Sequence, residues 1–198
     1  MGRKAGLTVE DVVTAAAKLA DREGFEHFTL AGVAERLGVR SPSLYAHVDG
    51  LPGLRRELSL RAAKELRELF ERAGEGRRGI ETVRRMATFY RRYALEHPGL
   101  YAAAQQAVQP GEDEELYKAL LSAVGPISEA LAEAGVPESD RIHVIRGIRS
   151  GLHGFVTLEQ GGGFGLPEEV EESFARLVEL LISGVEAAAV RRPDGRRL

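Results

Sequence analysis

Apolar positions recur three and four residues apart along most of the chain, with no run that alternates apolar and polar. That spacing predicts an all-α fold of about nine helices. The first helix should run from about Val9 to Glu23, capped by Thr8, with Val9, Val12, Val13, Ala16, Leu19 and Ala20 as its buried stripe. Gly24 ends it, and Phe25 and Phe28 should fill the base of a small N-terminal unit.

The next stretch, FTLAGVAERLGVRSPSLYAHV, reads as two short helices joined by a tight turn. Thr29 caps the first, and Leu30, Val33, Ala34 and Leu37 give it one apolar face. Gly38 stops it where positive φ costs little, and Val39 plugs the corner. Ser41 should cap the second helix, with Pro42 in its first turn, where a missing N–H matters least. Leu44 and Val48, four apart, dock that helix inward, leaving Ser43, Tyr45, Ala46 and His47 outside. This is the pattern of a helix-turn-helix whose second helix, Ser41–Val48, is presented to a DNA major groove.

Beyond Gly50 and Gly53, which should loosen the link, the periodicity predicts a long helix over about 51–73. Helices follow over about 80–96, 100–108 and 113–134, the last kinked at Gly125-Pro126, then from Pro137 to about Gln160. Gly161 to Gly165 form a loop, and a final helix starts at Pro167 or Glu168 and ends near Val190. The organisation expected is a three-helix DNA-binding domain over 1–50, a helical regulatory and dimerisation domain over 51–190, and a flexible tail over 191–198.

The net charge of −3 changes this picture, since nucleic-acid binders usually carry a basic domain. Basic residues would have to be focused locally: Arg3 and Lys4 in an N-terminal arm, Arg40 at the mouth of the second helix, then Arg55 and Arg56. Cysteine is absent, which removes disulfides and thiolate metal sites. His143 and His153 do not share a helix face, so no metal pair is expected. Gly2-Arg3-Lys4 leads straight into an amphipathic helix rather than a signal peptide, and no window has membrane-helix length. A cytoplasmic protein without membrane or cofactor is the expectation.

The N-terminal third resembles the DNA-binding domain of the tetracycline-repressor (TetR) family of bacterial regulators. Phe28-Thr29, Val33-Ala34, Leu37-Gly38-Val39 and above all Ser43-Leu44-Tyr45-Ala46-His47-Val48 carry the resemblance, closest over about residues 8–60. The phrases ALEHPGLY and GLHGFVTLEQGGGFGLP resemble the C-terminal half of one branch of that family, with a GLHGF-type domain. The resemblance implies a regulator, expected to repress, that binds a double-stranded DNA operator and an unknown small-molecule effector. It also implies that Ser41, Pro42, Ser43, Tyr45 and His47 lie at the DNA surface. Tyr45, His47 and Thr29 are then expected on phosphates, and Pro42 against a thymine methyl. Arg40 either reads guanine through its planar fork or holds a phosphate; His47 has the alternative of a purely structural role. One departure stands out: the lysine usual three residues after the LYxHV phrase is Leu51 here. Either Arg55 or Arg56 takes over its phosphate, or DNA is held more weakly.

In the C-terminal half, Phe89, Tyr90, Tyr93, Tyr101, Gln105, Gln106 and His143 interrupt apolar segments. They either line an effector pocket or serve as core residues with hydroxyls at the surface. The last two helices carry broad stripes that include Ile148, Leu152, Phe155, Val156, Leu177 and Leu181, beside small Gly147, Gly151 and Gly154. These either form intramolecular core or a four-helix homodimer interface, and the resemblance favours the dimer. A two-fold dimer would set two recognition helices about 34 Å apart on a palindrome, and a ligand would shift that spacing through the long helix after Leu51. An enzyme is the competing class, but nucleophile elbow, phosphate loop and paired carboxylates are all missing; Gly161 to Gly165 lack the lysine and strand context of a phosphate loop. A protein-interaction module that lost DNA binding is the other alternative.

Overall fold

Thr8 and Asp11 begin the fold with a reciprocal cap. In the computed structural model, which describes residues 6–190, Thr8 Oγ1 accepts from the Asp11 amide at 3.1 Å and the Thr8 amide donates to Asp11 Oδ2 at 2.9 Å. The Thr8 hydroxyl also donates to Asp11 Oδ2, at 2.6 Å, and this bond, with that from the Thr8 amide, holds the Asp11 carboxyl below its ordinary pKa. The Arg3–Lys4 arm and the tail 191–198 lie outside the described residues. Helix α1 spans Val9–Glu23, as its pattern predicts, and Gly24 closes it at φ 92°. Val9 is a correction: it is exposed, because it starts the helix before the packed face begins, while Ala15 and Ala17 join the buried stripe.

Helix α2 is Leu30–Leu37, with the Gly32 amide donating to Thr29 Oγ1 at 3.1 Å. Gly32 must be small, since a Cβ there would sit 3.0 Å from Leu19 Cδ2. Gly38, at φ 67°, ends α2 in the left-handed region. The segment after the turn differs from the α-helix expected to Val48. It is a 3-10 helix over Ser41–Ala46, preceded by Arg40, and Ser41 makes no capping bond. Ser43 N bonds Arg40 O at 2.9 Å and His47 N bonds Leu44 O at 2.9 Å. The chain must turn again at Gly50 (φ 64°), and so short a segment closes on tight bonds until Val48 N reaches Leu44 O at 3.0 Å.

Helix α3 covers Gly50–Gly74 and includes both glycines expected to loosen it; Gly53 lies within its first turn, where a Cβ would fall 2.9 Å from Asp49 Cβ. Helix α4 is Ile80–Glu96. Helix α5 is Pro98–Ala104, earlier than the predicted 100–108, because proline suits a first turn. The single kinked helix expected next is two, α6 (Glu114–Ser122) and α7 (Val124–Glu133), since Pro126 cannot donate back to Ser122. Helix α8 is Glu138–Gln160 and α9 is Val170–Val190, the latter starting later than predicted. All elements among the described residues are helical, and none of these helices is alone long and apolar enough to cross a membrane.

The described residues pack as two compact units, one from 6–65 with 96–120 and the other from 66–95 with 121–190. The first is centred on Val12, Leu19, Phe28, Val33, Leu44, Leu54 and Leu58, all fully buried. Within it, buried Ser59 donates to Ala103 O at 3.0 Å. The second unit buries Leu131, Val136, Val156 and Val185, and pairs α8 with α9. Its half-buried Arg91 bonds Glu159 Oε2 at 2.8 Å and Oε1 at 2.7 Å, reaches Glu171 at 2.6 Å, and lies 4.6 Å from the centre of the Phe174 ring.

Candidate functional site

Leu44 and Val48 are buried beneath the 3-10 helix, and that burial turns its other side outward. Pro42, Ser43 and Tyr45 are exposed, Tyr45 by 63%, and Ser41 and His47 are half-buried. Arg40 is exposed at the start of the helix and pairs with no carboxylate among the described residues. Thr29 uses its hydroxyl oxygen as an acceptor for α2, which leaves its O–H free to donate. Six predicted residues, Arg40, Ser41, Pro42, Ser43, Tyr45 and His47, thus share one segment, with Thr29 on the cap of the neighbouring helix.

Arg55 behaves differently. It donates to Glu26 O at 2.8 Å, lies 3.4 Å from Glu26 Oε2, and places its guanidinium 5.6 Å and 5.8 Å from the Phe25 and Phe28 rings. It therefore clamps the corner after α1. Arg56 is also engaged, with Asp113 and, at 2.6 Å, with Glu115. Leu51, in the place of the family lysine, is half-buried.

The seven residues expected to line a pocket are distributed elsewhere. Tyr90, Tyr93 and Tyr101 are buried in the cores of their units, Phe89 is half-buried with Arg85 and Arg92 over its ring, Gln105 ends α5, and His143 is exposed on α8. Tyr101, Gln105 and the exposed Gln106 belong to the first unit and the other four to the second. The cavity in the second unit, of about 480 Å³, is lined by none of them. It lies between the end of α3, the start of α4 and α7, over a floor of Phe70, Met86, Pro126 and Ala130. Tyr90 stands behind it, stacked on Phe70 with centroids 6.5 Å apart. The key polar residue is Thr82, buried on α4, with Oγ1 unbonded among the described residues. A threonine on an apolar stripe gives no sequence signal that distinguishes it from core.

Of the residues expected at a dimer interface, Ile148, Leu152 and Val156 are buried within the chain. Phe155 packs between Phe164 and Phe174, with centroids at 4.7 and 5.3 Å. Leu177 and Leu181 are half-buried, near the Gly151 position, where a Cβ would meet Leu181 Cδ2 at 3.2 Å. Gly147 and Gly154, by contrast, face open space. The large apolar side chains left outside over 121–190 are Leu121, Ile142, Leu158, Leu166, Leu180 and Val190, with Leu180 exposed by 72%. No three His, Asp or Glu side chains among the described residues are grouped to hold a metal ion.

A capped helix, a left-handed glycine turn and an outward-facing short helix, followed by a helical second unit, define a helix-turn-helix transcriptional regulator. Comparison with known proteins specifies the family. Residues 12–48 match the bacterial regulatory proteins of the tetR family, and residues 83–181 match the tetracyclin repressor-like C-terminal domain. The chain is 34% identical over 188 residues to an uncharacterized HTH-type transcriptional regulator of Mycobacterium tuberculosis, covering 94% of this chain and 85% of that protein. It is also 34% identical to an uncharacterized HTH-type regulator of Bacillus subtilis, covering 93% and 96%. The chain belongs to the TetR family of transcriptional regulators, which is not a family of enzymes. In fold it is similar to a protein of unknown function from Rhodococcus sp. RHA1 (TM-score 0.77, 19% identity, covering 93% and 98%). It is similar also to a TetR variant from Acinetobacter baumannii AYE solved in complex with minocycline (TM-score 0.70, 20% identity, covering 94% and 100%).

Proposed function

We propose that this chain is a cytoplasmic, ligand-responsive repressor that binds a palindromic operator as a homodimer. Residues 1–50 are the DNA-binding part, 51–190 the regulatory and dimerising part. The observation that carries this reading is the division of the 3-10 helix: Leu44 and Val48 buried, Arg40, Ser43 and Tyr45 exposed beside it. Arg40 reads a guanine, Ser41 and Pro42 contact base edges, and Thr29, Ser43, Tyr45 and His47 hold phosphates. Arg55, anchored on Glu26, supports the corner rather than the DNA.

Dimerisation is supported by exposed Leu158 and Leu180 and by Gly147 and Gly154, whose open surroundings admit a helix of a second copy. The effector enters the cavity above Phe70 and shifts the population towards a spacing of the two DNA-reading heads that does not fit successive grooves. The purified chain, titrated with the DNA upstream of its own coding region at several salt concentrations and footprinted, tests this. A protected palindrome with a steep salt slope supports it. Salt-insensitive or absent binding there and across a genomic fragment library would instead mark an interaction module.

A further inference from the structure

The cavity of the second unit holds a polar group that the protein leaves unused. Thr82 is 4% exposed, and its Oγ1 is buried without a hydrogen-bond partner among the described residues. A helical threonine ordinarily returns its hydroxyl to the carbonyl four residues back, which here is Arg78. Buried hydroxyls without a partner are uncommon, and this one belongs to a residue that lines the cavity. The cavity, at about 480 Å³, lies in the range of small-molecule sites.

Its walls restrict what that molecule is. Phe70 offers a ring face kept in place by Tyr90 behind it, and Met86 adds a polarisable thioether. Gly125 contributes no side chain, and a Cβ there would meet nothing within 4 Å. At the mouth, Arg67 bonds Glu71 at 2.8 Å. Glu133 accepts from Arg78 and from the Gly79 amide, each at 3.0 Å. Arg77 and Glu129 remain, so the three carboxylates of the lining are matched by Arg67, Arg77 and the Arg78 bonded to Glu133. A mouth with no surplus of cations leaves the desolvation of a further negative charge uncompensated.

We propose that the effector is a fused-ring aromatic molecule, neutral or cationic, whose carbonyl or hydroxyl oxygen accepts a hydrogen bond from Thr82 Oγ1. This rests on the reading of the chain as a ligand-responsive regulator. Two fluorescent probes test it on the full chain: neutral 7-amino-4-methylcoumarin, which carries a ring carbonyl, and its 3-acetic acid derivative, the same ring with an added carboxylate. The neutral probe is expected to bind saturably, and the anionic one about tenfold more weakly or worse. Thr82→Val, which removes the hydroxyl at constant shape, should weaken the neutral probe about three- to tenfold. Gly125→Phe should abolish binding while leaving the melting temperature unchanged or raised, since the new ring fills open space. Glu129→Gln should narrow the gap between the probes. Equal binding of the two probes, no saturable binding by either, or indifference to both Thr82→Val and Gly125→Phe would overturn the proposal. Operator affinity measured in the same samples separates the two claims. Thr82-dependent binding that leaves operator affinity unchanged defeats the effector reading while the ligand class stands. Release from the operator by the anionic probe alone defeats the ligand class while the effector reading stands.

Discussion

The backbone amide of Gly99 donates to Asp21 Oδ1 at 2.9 Å, and at that point α5 meets α1 with no room for a side chain between them. A Cβ at Gly99 would lie 2.4 Å from the Ala20 carbonyl carbon and 2.5 Å from the Asp21 amide nitrogen, and backbone cannot swing aside as a side chain can. Gly99→Ala should therefore destabilise the first unit by about 1–3 kcal/mol, seen as a lower urea midpoint, although alanine is the better helix former. Unchanged stability would show that α5 can lift off α1 at little cost.

Arg40→Ala should relax sequence discrimination at one operator position, by about 1–3 kcal/mol between the right and wrong base. Competition binding with single-base operator variants measures this. A uniform loss across all variants would place Arg40 on a phosphate instead.

Restoring the family lysine at position 51 adds one cation beside the DNA-facing segment. Leu51→Lys should tighten binding to all sequences and steepen the slope of log affinity against log salt by about one. Leu51 is half-buried, so a thermal melt should accompany the binding measurement to account for lost packing.

Asp113 makes an acid-sensitive link. Hydrogen bonds from Arg56, first, and the Leu116 amide lower its carboxyl to about 2. Its folded pKa lies below the unfolded value, so its contribution is complete above the ordinary carboxylate range and is lost as pH falls from about 4 towards 2. Asp113→Asn should thus be less stable than the parent near pH 6 and converge with it near pH 2. Urea denaturation at several pH values tests this; a constant difference across the range would contradict the link.

Arg91 is 11% exposed and holds α4 to Glu159 on α8. Arg91→Ala leaves that half-buried carboxylate without its partner and should cost about 3 kcal/mol. The pair Arg91→Met with Glu159→Gln removes both charges and should recover a large part of the loss, which a double-mutant cycle reads directly.

What was legible in the sequence is what short-range chemistry decides. Thr8 with Asp11, Thr29, Gly24 and Gly38 act within a few residues, and they place α1 and α2 where the pattern predicts. Ile80–Glu96 follows from its periodicity alone. The outward side of residues 41–48 was also readable, because burial of Leu44 and Val48 dictates what faces out. The 3-10 form of Ser41–Ala46 was not, since a helix pattern does not tell three-residue from four-residue bonding over so short a stretch. The break at Ala123 escaped because Pro126 acts four residues upstream of itself. The cavity was invisible for a deeper reason: its walls come from residues far apart in sequence. Tyrosines on apolar stripes, the conspicuous candidates, serve the core, and the inconspicuous Thr82 lines the space.

Arg55 and Arg56 bear on how such a protein finds its site. Both guanidiniums are occupied by the protein's own carboxylates and rings, so they add little to the attraction for an arbitrary stretch of duplex. Non-specific affinity comes almost wholly from phosphate-neutralising cations, and it sets how much of a regulator is held idle along the chromosome. A head that keeps two of its cations engaged with its own groups leaves a larger share of its copies free in solution. Few copies per cell then suffice to keep one operator occupied.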